Sequence, residues 1–433
     1  MSTPENSPHV VIIGGGFGGL EAAKIFRGKP VDVTVIDRTN HHLFQPLLYQ
    51  VAMAGLAPSD ITVPIRWILR NERNAKVILG AVTHIDPARR QVTVEGLEHT
   101  VSYDVLIVAA GSRHAYFGHD SWEPNAPGLK SLADALGLRR RFLTAFERAE
   151  QETDAAERER LMTFVIVGGG PTGVELAGMM AEIVRKAMPR DFRAIDTRRT
   201  RVVLVEAGPR LLPAFPERSA ARARRDLERL GVEVRTGTTV TGIDDRCARL
   251  GDDIIGTRNV FWAAGNQSSP LGAMLGAPVD RAGRVLVRDD LSVPGHPEIL
   301  VAGDLAAVFR ADGSLVPGVA PAAMQEGRVA GRNALRIINA ETTAAFSYYN
   351  KGDLATIGRN RAVAVFGGRI EVSGYPAWLL WLFVHIMHLA GFRNRVSVLV
   401  QWGYAYFTYQ RGVRLITAVE RPAHAVVEVG GRS

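Results

Sequence analysis

The sequence predicts an α/β protein with two Rossmann-like dinucleotide-binding domains and an apolar, amphipathic C-terminal region. Three observations lead there. A glycine-rich turn between an apolar strand and a helix occurs twice, as "HVVIIGGGFGGLEAAKIF" (9–26) and "TFVIVGGGPTGVELA" (163–177). Two later strands, "YDVLIVAAGS" and "NVFWAAGN", both end in Ala-Ala-Gly. From Tyr375 the composition shifts abruptly to "YPAWLLWLFVHIMHLAGF". A chain of 433 residues is long for one core, so more than one domain is expected.

The first copy has Gly14, Gly16 and Gly19 in G-x-G-x-x-G spacing. The first glycine permits the tight turn, the second lets backbone approach a pyrophosphate, and the third lets the helix pack on the strand. The helix N-terminus then faces the phosphate charge. The next strand, "VDVTVID", ends in Asp37, 23 residues beyond Gly14, where an acid can bond a ribose hydroxyl. The second copy has Gly168, Gly170 and Gly173, and its next strand "RVVLVE" ends in Glu206, 38 residues on. The polar insert "RDFRAIDTRRT" accounts for the longer interval. Two intact motifs, each with a strand-terminal acid, predict two dinucleotide sites.

Charge and composition narrow the partners. The net charge of +8 suits an acidic partner: nucleic acid, anionic lipid or a phosphate-bearing cofactor. No Lys/Arg block interleaved with aromatics occurs, which argues against nucleic acid. The single cysteine, Cys247, excludes a disulfide framework, a dithiol mechanism and a Cys-based zinc site. His41 and His42 lack a third ligand, so no metal site is expected. The N-terminus "MSTPENSPHV" has no signal-peptide pattern, so the chain is expected to stay inside the cell.

The Ala-Ala-Gly strands and "PEILVAGDLA" (297–306) resemble the two-dinucleotide-binding flavoprotein reductases. That resemblance implies FAD at the first motif and NAD(P)H at the second. It implies Asp304 at the flavin's ribityl–phosphate region, Gly111 and Gly265 at the strand–cofactor junctions, and Glu206 at the nicotinamide nucleotide's ribose. A carboxylate there repels a 2′-phosphate, favouring NADH over NADPH. Relatives that work through a cysteine pair are excluded by the lone Cys247.

Longer stretches resemble type II NADH dehydrogenase, the single-chain, non-proton-pumping NADH:quinone oxidoreductase. They are "IDRTNHHLFQPLLYQVA", "GPTGVELAG", "VEAGPRLLPAFPE", "NKGDLATIGR", "WLLWLFVHIMHLAGFRNR" and "YFTYQRGVRLI". The resemblance implies a hydride passed from NADH to FAD, and electrons passed on to a membrane quinone. It places Glu175 near the flavin–nicotinamide contact and Lys351 as a cation near the isoalloxazine, where positive charge stabilises reduced, anionic flavin. Val316–Ala334 resembles the family's quinone-site helix, commonly Ala-Gln-x-Ala-x-Gln. Ala320, Ala323 and Gln325 match, but Pro321 stands at the first glutamine. Gln325 is therefore expected to bind quinone through its amide, with Glu326 as a candidate proton donor.

The tail is too short for a spanning helix of ~20 residues. At 100° per residue, Trp378, Trp381, His385 and His388 share one narrow face. This arrangement predicts an interfacial helix with Trp at headgroup depth, and Arg393, Arg395, Arg411 and Arg414 meeting anionic lipid. A buried dimer-forming helix is the competing reading, and a homodimer is compatible with docking. The expected site is the cytoplasmic face of the cell membrane, as a peripheral protein. The expected boundaries are 1–120 and 291–350 for the FAD domain, 121–290 for the NADH insert, and 351–433 for the membrane or dimerisation region. Two other functions fit less well: a soluble reductase of a ferredoxin or rubredoxin, and a membrane-tethered NADH sensor.

Overall fold

The computed structural model describes residues 7–408 and 413–416. Residues 1–6 and Arg411 lie outside them. The chain forms β1 (His9–Ile13), α1 (Phe17–Ile25), β2 (Asp32–Asp37), β3 (Ala75–Leu79) and β4 (Val105–Val108). It then forms β5 (Thr163–Val167), α2 (Pro171–Glu182), β6 (Arg201–Glu206), β7 (Val232–Thr236) and β8 (Asn259–Trp262). Strands β9 (Ser292–Val293) and β10 (His296–Val301) precede helix α3 (Ala320–Ile338). The tail comprises β11 (Asp353–Gly358), β12 (Arg361–Phe366), β13 (Ile370–Ser373), α4 (Tyr375–His388) and α5 (Phe392–Thr408).

Two sheets organise the molecule. The first runs β9-β10-β4-β1-β2-β3, parallel except for the antiparallel β9–β10 pair. The second runs β7-β6-β5-β8, all parallel. The first sheet takes strands from both sides of the second in sequence, so the second is an insertion. The central strands β1, β4 and β5 are apolar and almost entirely buried, as strands covered on both faces must be.

Register decides where the chemistry emerges. Ile13 pairs with Ile36 and with Val108, and Val108 pairs with Val301. Gly14, Asp37, Ala109 and the Gly303–Asp304 turn therefore leave the sheet at one end, the carboxyl ends of its strands. Val167 likewise pairs with Val205 and Trp262, bringing Gly168, Glu206 and Ala263 together. In doubly wound sheets this end is where ligands bind.

The helices behind the two turns are covered differently. Helix α1 packs on α3 without intervening side chains: a Cβ on Gly327 would overlap the Gly18 carbonyl oxygen. Helix α2 packs on β11, where a Cβ on Gly178 would overlap the Ile357 carbonyl oxygen. The antiparallel tail sheet β11-β12-β13 then carries α4, whose Ala377 and Trp381 are buried in the core. Helix α5 returns to the first domain. Ser397 and Gln401 donate to Asp60, and Trp402 Nε1 donates to Gln50 Oε1 at 2.8 Å.

The structure corrects the expected orientation of the tail. The face bearing Trp378, Trp381, His385 and His388 turns toward the protein: Trp381 is only 3 % exposed, and both histidines line a cavity against the two domains. The outward stripe is Tyr375, Leu379, Phe383 and Met387, spaced by four. Both faces are apolar, so spacing alone could not tell the protein side from the solvent side. Arg414 pairs with Asp191 and Arg395 Nε donates to the Leu389 carbonyl, whereas Arg393 is exposed. Among the described residues no helix is long and apolar enough to cross a membrane.

Candidate active site between the two sheets and the tail

The two glycine turns have the same anatomy. Gly14 and Gly168 adopt φ of +101° and +113°, a region that favours glycine, and each presses on an alanine of the neighbouring Ala-Ala-Gly strand end. A Cβ on Gly19 or Gly173 would overlap the carbonyl oxygen of the first glycine in its own motif. Gly16 and Gly170 instead face open space, with nothing within 4 Å of a Cβ position. That gap, before the N-terminus of a helix, is the cradle a pyrophosphate needs.

The strand-terminal acids fix both turns. Asp37 accepts from the Gly15 amide at 2.6 Å and from Thr39 N at 2.7 Å. Glu206 accepts from the Gly169 amide at 2.6 Å and from Gly208 N at 2.7 Å. His42 adds a clamp that sequence reasoning missed, its Nδ1 donating to the Gly15 carbonyl at 3.2 Å. Burial holds the His42 imidazole pKa down at about 4, so it is neutral and its proton stays committed to that bond.

Between the carboxyl ends of the two sheets and α4 lies a cavity of about 400 Å³. Its walls include Phe17 beside the first turn, Pro171 and Glu175 on α2, Ala263–Asn266 after β8, Asp304, and Val384, His385 and His388 on α4. A second space of about 190 Å³ lies on the other side of Asp304 and is lined by Ser112, Gly303 and Glu326. Gly265, at φ +71°, lines the larger cavity, whereas Gly111 (φ +66°) lies beside Ser112 at the end of β4. Together with the cradle at Gly16, this volume and donor set fit an extended flavin dinucleotide.

Two carboxyls here are buried, and burial raises the pKa of each. Glu175 is pushed up to about 8 by burial, opposed by the Thr356 amide, which donates to Oε1 at 3.3 Å. Trp381 approaches the same carboxyl and opposes the shift weakly, for its Nε1 has no well-formed hydrogen bond. Glu326 is 3 % exposed and accepts from the Gly303 amide at 2.5 Å; burial, helped by the charge on Asp304, pushes it up to about 7.

Three expected site residues sit elsewhere than the sequence reading placed them. Gln325 does not line the cavity: its amide nitrogen donates to the carbonyls of Pro321 and Tyr349, and its oxygen accepts from Tyr349 N. Both ends of that side chain are committed to backbone. Glu326 lies at the Gly303–Asp304 turn rather than in a quinone tunnel. Lys351 is exposed and lines neither cavity, although Gly352 and Asp353 beside it line the large one. The cation in the cavity wall is the half-buried Lys130, whose Nζ donates to Ser112 Oγ at 2.7 Å and lies 3.9 Å from Asp304. Ser112 in turn donates to Asp304 at 2.6 Å. No motif marks Lys130; it follows a loop and only the fold brings it to the wall.

Fold and site together define a flavin- and pyridine-nucleotide-dependent oxidoreductase. The pyridine nucleotide-disulphide oxidoreductase family model matches residues 8–327, and an NDH2 C-terminal domain model matches residues 350–409. Two curated proteins of Mycobacterium tuberculosis, both type II NADH:quinone oxidoreductases, are 44% identical to this chain. One alignment covers 94% of this chain and 89% of the relative, the other 96% and 91%. The solved structure of Plasmodium falciparum NDH2 in complex with NADH superimposes with a TM-score of 0.85, at 20% identity, covering 94% of this chain and all of that one. A sulfide:quinone oxidoreductase from Aquifex aeolicus gives a TM-score of 0.72 at 18% identity, covering 90% and 92%. The chain belongs to the type II NADH:quinone oxidoreductases.

Proposed function

We propose that this chain oxidises NADH and reduces a quinone in the one cavity that joins both sheets to α4. The observation that carries this reading is the shared wall. Phe17 and Asp304 from the first domain, Pro171 and Glu175 from the second, and His385 from the tail all face the same 400 Å³ space.

The first turn, Asp37 and Asp304 are placed to hold FAD; the second turn and Glu206 are placed to hold NADH. Bound there, FAD supplies the redox chemistry that links a two-electron donor to a quinone acceptor. The protein's own contribution is alignment, charge and protons. Lys130 brings a half-buried positive charge to Ser112 and Asp304, and partial burial lowers its pKa while Asp304 opposes the shift. Quinone reduction consumes two protons, and Glu175 keeps a carboxyl proton in the cavity wall at neutral pH.

The membrane reading rests on the outward faces of α4 and α5. Phe383 is 62 % exposed, Phe392 81 % and Phe407 82 %, with Leu379, Met387, Val396 and Val400 beside them. Exposed apolar surface of this extent is rare on a protein that meets only water. Arg393 at its edge and Arg70, stacked over Trp67 at 4.0 Å, suit anionic headgroups. The orientation is that of a peripheral protein on the cytoplasmic face. Deleting the tail would strip Trp381 and Val398 from the core, so substitution is the better test. Phe383→Ser with Phe392→Ser should keep bound flavin and weaken binding to phosphatidylglycerol vesicles at least tenfold. Unchanged vesicle binding would refute the docking reading; a change from dimer to monomer in its place would assign the face to a second copy.

A further inference from the structure

We propose that Nε2 of His385 accepts a hydrogen bond from a hydroxyl of the quinol product, so the cavity holds the reduced substrate more tightly than the oxidised one. The proposal rests on the reading of the cavity as the quinone site and adds a residue and a preference to it.

Pro321 has no side-chain donor, and Gln325 is committed to the backbone of Pro321 and Tyr349. Helix α4 contributes Val384, His385 and His388 to the cavity lining. His388 is exposed, so water competes for its ring. His385 is the more sheltered of the two polar groups that α4 presents.

Its tautomer follows from one contact. His385 Nδ1 lies 2.7 Å from the carbonyl oxygen of Trp381. A carbonyl oxygen only accepts, so Nδ1 must carry the proton. A neutral imidazole has one N–H, which leaves Nε2 with a bare lone pair. Burial keeps the ring neutral, with a pKa of about 4; His388 on the same helix adds to the shift, and Glu175 across the cavity is itself protonated at neutral pH. Rotation of the ring is restrained by Trp381, stacked at 4.3 Å, and by Phe44, edge-on at 6.3 Å. Nε2 has no hydrogen-bond partner among the described residues.

A lone pair fixed in this way distinguishes the two redox forms. The carbonyl oxygens of a quinone only accept, so they form no hydrogen bond with Nε2. Each hydroxyl of a quinol donates, and one of them satisfies it. Preferential binding of the reduced form raises the potential of the bound couple. A tenfold preference corresponds to about 30 mV for a two-electron couple, in the direction that favours electron flow to quinone.

Calorimetric titration of the FAD-loaded protein under anaerobic conditions, without NADH, tests this with duroquinone and duroquinol as probes. His385→Phe keeps the stack on Trp381 and removes the acceptor. Its Kd for duroquinol should rise about five- to tenfold, while its Kd for duroquinone changes less than about twofold. His385→Gln restores an acceptor and adds a donor, so quinol binding should recover and the preference between the two forms should collapse. Equal weakening of both ligands in the Phe variant would mean a packing role and overturn the proposal, as would no change in either. Wild-type protein that binds neither ligand would instead remove the quinone reading itself. A Phe variant that loses FAD leaves the Gln variant to decide: an unchanged preference there also overturns the proposal.

Discussion

The two glycine turns are nearly superimposable in their chemistry and differ in what closes over them. In both, the first glycine meets an alanine strand end, the middle glycine faces open space, and a strand-terminal acid binds two backbone amides. Around the first turn, the Gly15 carbonyl is taken by the His42 side chain; around the second, the Gly169 carbonyl accepts from the Leu212 backbone amide at 2.8 Å. Helix α1 lies under α3 of its own domain, whereas α2 lies under the tail strand β11. The shape of each turn is thus set by backbone geometry common to both. The covering elements differ: α3 belongs to the first domain and β11 to the tail, while both sites open on the cavity beside α4.

The comparison breaks most sharply at the middle glycines. Gly16→Val should fold, because its side chain enters open space, but it should be purified almost colourless through loss of FAD. Gly170→Val should remain yellow, yet require at least tenfold more NADH for half-maximal flavin reduction. Absorbance spectra and an NADH titration check both. A yellow Gly16→Val protein would show that the two cradles are misassigned.

Next in size is the pH response of Glu175 on α2. Its carboxyl keeps its proton to about pH 8 when folded but ionises near 4.5 when unfolded. Between those values the folded state binds the extra proton, so this group's stabilisation is complete at low pH and is lost as pH rises through 8. Relative to Glu175→Gln, the wild type should therefore lose several degrees of Tm between pH 5 and pH 8. A constant difference in Tm would mean that Glu175 is ionised in the folded protein.

A smaller effect is expected at the acid that marks the second turn. Glu206→Ala removes the charge facing a ribose 2′-phosphate and two bonds that shape the turn. kcat/KM for NADH should fall about tenfold and that for NADPH should fall less, narrowing the preference. Wild-type preference for NADPH would contradict the assignment. The smallest effect belongs to Gln325→Leu, which releases the Tyr349 backbone. It should cost about 1–2 kcal/mol of stability. The quinone KM should stay within about threefold, measured by denaturation and steady-state kinetics.

What could be read in the sequence follows the same division. The turns, Asp37 and Glu206 are local features whose spacing encodes their geometry, and the first-sheet strand before Asp304 was marked by its apolar run. The cavity wall was not legible, because it is assembled from distant segments. Lys130 carries no motif, and the committed state of Gln325 depends on Tyr349, 24 residues away. Helix α4 showed its Trp/His face correctly but not its direction, since an all-round apolar helix gives no polar side to orient it.

In the proposed function, NADH and quinone communicate through one cavity. Anaerobic double-mixing stopped flow addresses it directly. NADH should bleach the visible flavin absorbance of the purified protein, and duroquinone added next should restore it at a rate that accounts for steady-state NADH:quinone turnover. Bleached protein that duroquinone leaves reduced, while a ferredoxin or rubredoxin reoxidises it, would contradict the account.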